Sequence, residues 1–217
     1  MSLPLGLEVP TPVGTARAVL EGPAGRGRLV LGHGAGGGID APDLLAARDA
    51  AVRLGLQVVR VEQPWRVAGR RVAEAPPRLD AAWRAVLAAL PAADGPLLLG
   101  GRSAGARVAC RTAGELGAAG VLALAFPLRT PGRPDRDRGE ELRRPPCPRL
   151  VVQGERDAFG VPGPSAGVDV HVVAGADHGF AVRRRDGRTP AEVHDEVERV
   201  VRAWLARTTG DAAQTLT

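Results

Sequence analysis

The chain has 217 residues, 44% of them hydrophobic and 24% charged, which suits one folded domain with a sizeable core and excludes a disordered or fibrous chain. All 29 basic residues are arginines and the net charge is +5, but they are scattered, only Arg183-Arg184-Arg185 forms a run, and aromatics for base stacking are scarce, so nucleic acid is not an expected partner. The start, Met-Ser-Leu-Pro-Leu-Gly-Leu-Glu, lacks a basic and then apolar leader, and no run approaches the ~18 apolar residues of a membrane span, so a cytoplasmic location without membrane association is expected.

Residues 1–14 are punctuated by Pro and Gly and read as an N-terminal extension to a single domain over 15–209, with a polar tail over 210–217. Thr15 to Glu21 reads as a short edge strand closed by Gly22-Pro23. Arg28 to Gly32 is a more apolar strand that runs into the Gly-rich loop His33-Gly34-Ala35-Gly36-Gly37-Gly38. Pro42 to Leu54 has helical spacing, with Pro near its first turn and Gly55 at its stop, and Gln57 to Val61 is the next strand. After an Arg-rich loop, Leu79, Trp83, Val86, Leu87 and Leu90 recur at helical steps between Pro77 and Pro91. The strand at Leu97-Leu98-Leu99 then leads through Gly101-Arg102-Ser103-Ala104-Gly105 into a helix expected to turn Val108 and Ala109 toward the sheet.

Val121 to Phe126 is a continuous apolar run of the kind found in central parallel strands, ended by Pro127. The proline-rich stretch 127–148 reads as a surface excursion with one helical turn, too short for a separate folded domain. Leu150 to Gly154 and Val168 to Val173 are the last strands, and Val193, Val197, Val200, Val201, Trp204 and Leu205 mark one face of a final helix. Strands alternating with helices make parallel βαβ units, so the expected fold class is α/β: a doubly wound, mostly parallel sheet of about 7–8 strands with helices on both faces. Ligands in such sheets bind beyond the carboxyl ends of the strands.

The chemistry-bearing motifs all follow strands. In Gly-x-Ser-x-Gly the chain turns so sharply that the serine hydroxyl is exposed, which makes Ser103 the candidate nucleophile. A hydroxyl near neutral pH needs a base to take its proton and an acid to hold that base in one tautomer. Asp157 and Glu155 compete for the acid after the Leu150 strand, and His178, in a Gly-flanked loop after the last strand, is the candidate base. His171 lies within a strand and His194 sits early in a helix beside Asp195, positions suited to packing or solvation. Ala104 offers the backbone N–H that follows the nucleophile, and Ala35 or, alternatively, Gly34 offers a second donor for a developing oxyanion. His33, Trp65, Arg66 and Arg102 are candidates for substrate contact, each beside a plainer reading: His33 orients its own loop, Trp65 is core, Arg66 is a solubilising charge like Arg70 and Arg71, and Arg102 pairs with a nearby carboxylate. Cys110 and Cys147 show no metal-ligand spacing and are expected to be free thiols, and no metal site is expected.

Five segments taken together, His33-Gly34-Ala35-Gly36-Gly37, Glu62-Gln63-Pro64-Trp65-Arg66, Gly101-Arg102-Ser103-Ala104-Gly105, Gly154-Glu155-Arg156-Asp157 and Asp177-His178-Gly179-Phe180, resemble the α/β-hydrolase superfamily. The resemblance runs from the first strand to the last helix and is closest to the small, lidless dienelactone-hydrolase-like group, more narrowly to bacterial relatives of the Tex30/KANSL3-type domain. It implies the α/β-hydrolase fold and favours Asp157 over Glu155, in the chain order Ser103, Asp157, His178. Dienelactone hydrolases use a cysteine nucleophile where this chain has Ser103, which argues against lactone hydrolysis of that kind. The implied activity is that of a carboxylesterase-like serine hydrolase that needs no cofactor and cleaves a small-molecule ester or related acyl bond through an acyl-enzyme. An acyltransferase with the same triad, or a non-catalytic interaction module, are the alternatives, and a homo-oligomer is left open. The short 127–148 excursion implies an open site suited to small or moderately polar esters rather than long-chain lipids.

Overall fold

The computed structural model describes residues 5–210. In chain order these form β1 (Leu5–Thr11), β2 (Gly14–Glu21), β3 (Arg28–Gly32), α1 (Pro42–Arg53), β4 (Gln57–Glu62), α2 (Pro64–Val67), α3 (Pro76–Ala89), β5 (Leu97–Arg102), α4 (Ala104–Thr112), β6 (Gly120–Leu124), β7 (Arg129–Thr130), β8 (Arg133–Asp137), α5 (Gly139–Arg143), β9 (Arg149–Gly154), β10 (Val168–Val173) and α6 (Pro190–Thr208). Eight strands make one sheet in the order β1-β2-β4-β3-β5-β6-β9-β10. β1 with β2 and β2 with β4 run antiparallel, and every other neighbouring pair is parallel. This is the α/β-hydrolase fold.

Residues 5–11, expected within an extension, instead form β1, in register with β2 from Leu5↔Leu20 to Thr11↔Gly14. β2 is therefore not the edge, because β4 flanks its other side. Pro10 disguised this strand: proline cannot donate to a ladder, but an edge strand has one side free of ladder bonds and accommodates it. The apolar run after Gly120 also stops early, because Ala125 adopts φ 46° and turns the chain there. The 127–148 excursion is more ordered than one helical turn, holding the β7–β8 hairpin and α5, and among the described residues it forms no separate lid domain. Residues 1–4 of the expected extension and 211–217 of the expected tail lie outside the described residues.

Within the central strands, side-chain alternation decides which helix covers which face. Leu29, Leu31, Leu98, Leu122, Leu124, Leu150 and Val152 pack with α1 and α6. Val30, Leu99, Val121, Ala123 and Val151 pack with α3 and α4 on the other face. Because β3 pairs with both β4 and β5, the strand order reverses around it, and the connections leaving β3 and β5 run to α1 and α4 on opposite faces, the arrangement at which such sheets bind ligands. Those connections are His33–Gly38 and the Ser103 elbow. No helix among the described residues is long and apolar enough to cross a membrane.

Candidate active site

The elbow depends on a glycine-to-glycine contact with β3. A Cβ on Gly101 would lie 2.8 Å from the carbonyl carbon of Gly105 and 3.0 Å from the nitrogen of Gly32, and one on Gly105 would lie 3.0 Å from Gly32 Cα and overlap the Gly32 carbonyl. Hydrogen in both places lets the start of α4 press onto β3. Ser103 pays for the sharp turn with φ 51° and ψ −106°, a conformation that costs a non-glycine residue roughly 1–3 kcal/mol. The strain is held by the Ser103 N–H donating to the Leu124 carbonyl at 2.9 Å, while the Ser103 carbonyl accepts from the Arg107 N–H at 3.2 Å.

His178 Nε2 lies 3.1 Å from Ser103 Oγ, and His178 Nδ1 lies 2.7 Å from Asp157 Oδ2. The Asp157 side chain is fully buried, whereas that of His178 is 23% exposed, so the carboxylate is shielded from water while part of the imidazole is not. Asp157 Oδ1 accepts from the Phe159 N–H at 2.8 Å, and Oδ2 accepts from the Gln153 amide at 2.6 Å. The Phe159 ring also packs on the imidazole, centroids 4.4 Å apart. The His178 loop is tied by Asp177, whose Oδ1 accepts from the N–H groups of Gly179 at 2.8 Å and Ala181 at 3.0 Å.

On the opposite side of Ser103, His33 is buried, its Nε2 accepting from the Gln63 N–H at 3.1 Å. The proton therefore sits on Nδ1, which donates to the Gly34 carbonyl at 2.8 Å. Burial holds the His33 pKa below the usual histidine value, which keeps the ring neutral and this tautomer in place. A Cβ at Gly34 would be 3.4 Å from Ser103 Cβ, so this loop lies directly against the serine. Neither the Ala35 N–H nor the Ala104 N–H has a hydrogen-bond partner among the described residues.

The structure brings together Ser103, His178 and Asp157, with Gly34 alongside. Trp65 is only 1% exposed and packs on His33 with centroids 4.9 Å apart, so it belongs to the core and not to the substrate-contacting surface. His33, equally buried, braces its loop and is likewise removed from direct substrate contact. Arg66 is exposed beside the loop, its Nη2 3.9 Å from where a Gly38 Cβ would sit. Arg102 pairs with Asp43 at 2.9 Å, in keeping with its plainer reading. Glu155 is exposed and accepts from the Gly175 N–H at 2.7 Å. His171 pairs with Glu196 at 2.7 Å, and His194 lies 3.8 Å from Asp195. His194, Asp195 and Glu198 are the one group among the described residues whose ligand atoms could gather around a metal, all within 4.8 Å on the partly exposed face of α6. Both cysteines are free and buried, and burial pushes the Cys110 thiol up to about 12.

Gln153, Phe159 and Asp43 went unnoticed in the sequence. Gln153 did leave a signal: it is the one polar residue in the buried run Leu150-Val151-Val152-Gln153, where an amide needs a hydrogen-bonding partner. The stacking of Phe159 on His178 and the pairing of Asp43 with Arg102 left none, because they join segments distant in the chain.

A family model described as alpha/beta hydrolase domain matches residues 25–206. No curated protein matches the chain. Among solved structures the chain is similar to an α/β serine hydrolase without lid from Xanthomonas campestris, at 21% identity over 94% of this chain and 96% of that one with a TM-score of 0.70. It is also similar to an α/β serine hydrolase homologue from Coxiella burnetii, at 21% identity over 95% and 99% with a TM-score of 0.72. Est1E from Butyrivibrio proteoclasticus is similar at 12% identity over 94% and 99%, again with a TM-score of 0.72. At these identities the structural likeness establishes a shared fold.

Proposed function

The chain belongs to the alpha/beta hydrolase domain family, and on that premise we propose that it is a serine hydrolase that cleaves a small carboxylic ester or related acyl bond through an acyl-enzyme on Ser103. The observation that carries the reading is the hydrogen-bonded line from Ser103 Oγ to His178 Nε2, 3.1 Å, and from His178 Nδ1 to Asp157 Oδ2, 2.7 Å.

As Ser103 Oγ attacks the carbonyl carbon, its proton passes to His178 Nε2, and the imidazolium so formed is stabilised by the buried Asp157 carboxylate. The carbonyl oxygen becomes an oxyanion that takes hydrogen bonds from the Ala104 N–H and from Ala35 or Gly34. Collapse of the tetrahedral intermediate breaks the bond to the leaving group, which departs with the proton from Nε2. Water then gives up a proton to Nε2, attacks the acyl-enzyme, and releases the acid with Ser103 restored. The short β7–β8 and α5 segment leaves the site open, which favours small, moderately polar acyl groups.

The test is labelling by a fluorophosphonate probe together with turnover of p-nitrophenyl acetate. Ser103→Ala is expected to abolish labelling and to lower kcat by at least about 10³-fold. A Ser103→Ala variant that hydrolyses the ester at the wild-type rate refutes the mechanism.

A further inference from the structure

Arg102 precedes the nucleophile in the chain, and its guanidinium meets three other parts of the site. Nε lies 2.9 Å from Asp43 Oδ2 at the start of α1. Nη2 donates to the main-chain carbonyl of His178 at 2.9 Å. Nη1 faces the His33–Gly38 loop, where a Cβ on Gly34 would lie 3.4 Å from it and one on Gly37 3.8 Å. The Arg102 side chain is 15% exposed and that of Asp43 only 3%, so this cation is held within the structure by a buried counter-charge. Burial raises the Asp43 carboxyl above its ordinary pKa and the Arg102 charge pulls it back, so the buried carboxylate relies on the guanidinium.

What the guanidinium grips on the far side is the backbone of the base itself. The His178 loop returns on itself within a few residues, with Phe180 at φ 58°, and its internal bonds divide between the Asp177 side chain, which accepts from Gly179 and Ala181, and the main chain, where the Asp177 N–H donates to the Ala181 carbonyl and the Phe180 N–H to the Asp177 carbonyl. Those bonds shape the loop but do not set its distance from Ser103. The bonds from the Arg156 N–H to the Ala176 carbonyl and between Asp157 and His178 Nδ1 tie the loop to the end of β9, whereas the bond from Arg102 to the His178 carbonyl ties it directly to the elbow, because Arg102 and Ser103 are consecutive residues.

We propose that Arg102 is a positioning residue, a clamp that sets the His178 loop in register with the Ser103 elbow while Asp43 anchors the clamp to α1. The proposal rests on Ser103 and His178 being nucleophile and base. The wide, planar guanidinium holds its charge against the Asp43 carboxylate while Nη2 donates to the His178 carbonyl, two contacts 2.9 Å long from different edges of one group, which the single ammonium of a lysine cannot reproduce. A displacement of about 1 Å between reacting groups costs up to ~10²-fold in rate.

The experiment measures kcat and KM for p-nitrophenyl acetate, the rate of Ser103 labelling by a fluorophosphonate, and the melting temperature for wild type, Arg102→Lys and Arg102→Ala. Arg102→Lys is expected to fold and to lose about 10- to 100-fold in both kcat and labelling rate, with KM within about twofold of wild type. Added methylguanidinium is expected to restore part of the rate in Arg102→Ala. If Arg102→Ala does not fold, the lysine variant decides alone. A folded variant with kcat within about twofold of wild type, or a loss confined to KM, overturns the clamp. A wild-type chain that is neither labelled nor active removes the serine-hydrolase reading and the clamp with it, whereas an active wild type indifferent to Arg102 removes the clamp alone.

Discussion

Replacing Gln153 by leucine tests whether the buried acid is held from behind. The Gln153 side chain is completely buried, and its amide nitrogen, with two hydrogens, faces Asp157 Oδ2 at 2.6 Å, the Gly160 carbonyl at 3.0 Å and the Phe126 carbonyl at 3.1 Å. Leucine fills the space with an apolar side chain and donates nothing. The variant loses one hydrogen bond to a charged group, about 1.5–3 kcal/mol, and leaves the half-buried Gly160 carbonyl without its donor, about 1–2 kcal/mol more. The Phe126 carbonyl keeps the Leu128 N–H at 2.9 Å. Against these losses, Gln153 Oε1 is itself buried without a partner, and removing it returns about 1–3 kcal/mol. The expected net destabilisation is about 2 kcal/mol, which at this chain length lowers Tm by roughly 4–8 °C. Asp157 keeps the Phe159 N–H but loses one of its restraints, so kcat is expected to fall about tenfold. Thermal unfolding followed by circular dichroism and p-nitrophenyl acetate turnover read both effects. A Gln153→Leu variant with Tm within about 1 °C and kcat within about twofold of wild type would refute this account of Asp157.

At Gly105, alanine would drive a methyl group into the Gly32 backbone, which cannot rotate away. Gly105→Ala should cost about 3 kcal/mol or more, lowering Tm by at least roughly 6 °C, and an unchanged melting curve would contradict the packing. His33 gives a pH dependence: burial depresses its folded pKa, so the unfolded chain binds the extra proton more readily, and its contribution to stability is present above the unfolded value of 6.5 and lost as pH falls below it. Tm should therefore decline between about pH 7 and pH 5 more steeply in wild type than in His33→Gln, and parallel curves would remove His33 as the cause. With an open site, kcat/KM for p-nitrophenyl acetate or butyrate should exceed that for the palmitate by at least about tenfold, and the reverse ranking would contradict the small-ester reading.

Most of the sheet could be read without coordinates, because its central strands are unbroken apolar runs separated by helices with ordinary periodicity. The exception was β1, where Pro10 and flanking glycines resemble a linker, and only pairing with β2 distinguishes an edge strand from one. Ser103, Asp157 and His178 were legible because each sits in a short motif at a strand end, where local composition reports on local geometry. Trp65 was ambiguous for a physical reason: an indole serves equally well in a core or a pocket, and burial, a property of the whole fold, made it core.

By itself, then, the amino-acid order determined the strand–helix alternation, the place of the elbow, and the residue types able to perform acyl chemistry, since these follow from short-range periodicity and steric demand. Only the tertiary structure decided that Arg102 spans from Asp43 to the His178 carbonyl, that Gln153 supports Asp157, and that Gly101 and Gly105 must be bare to meet Gly32. Such contacts are set by the register of neighbouring strands and the tilt of helices upon them. They join residues as many as 76 positions apart, a separation across which no local pattern carries information.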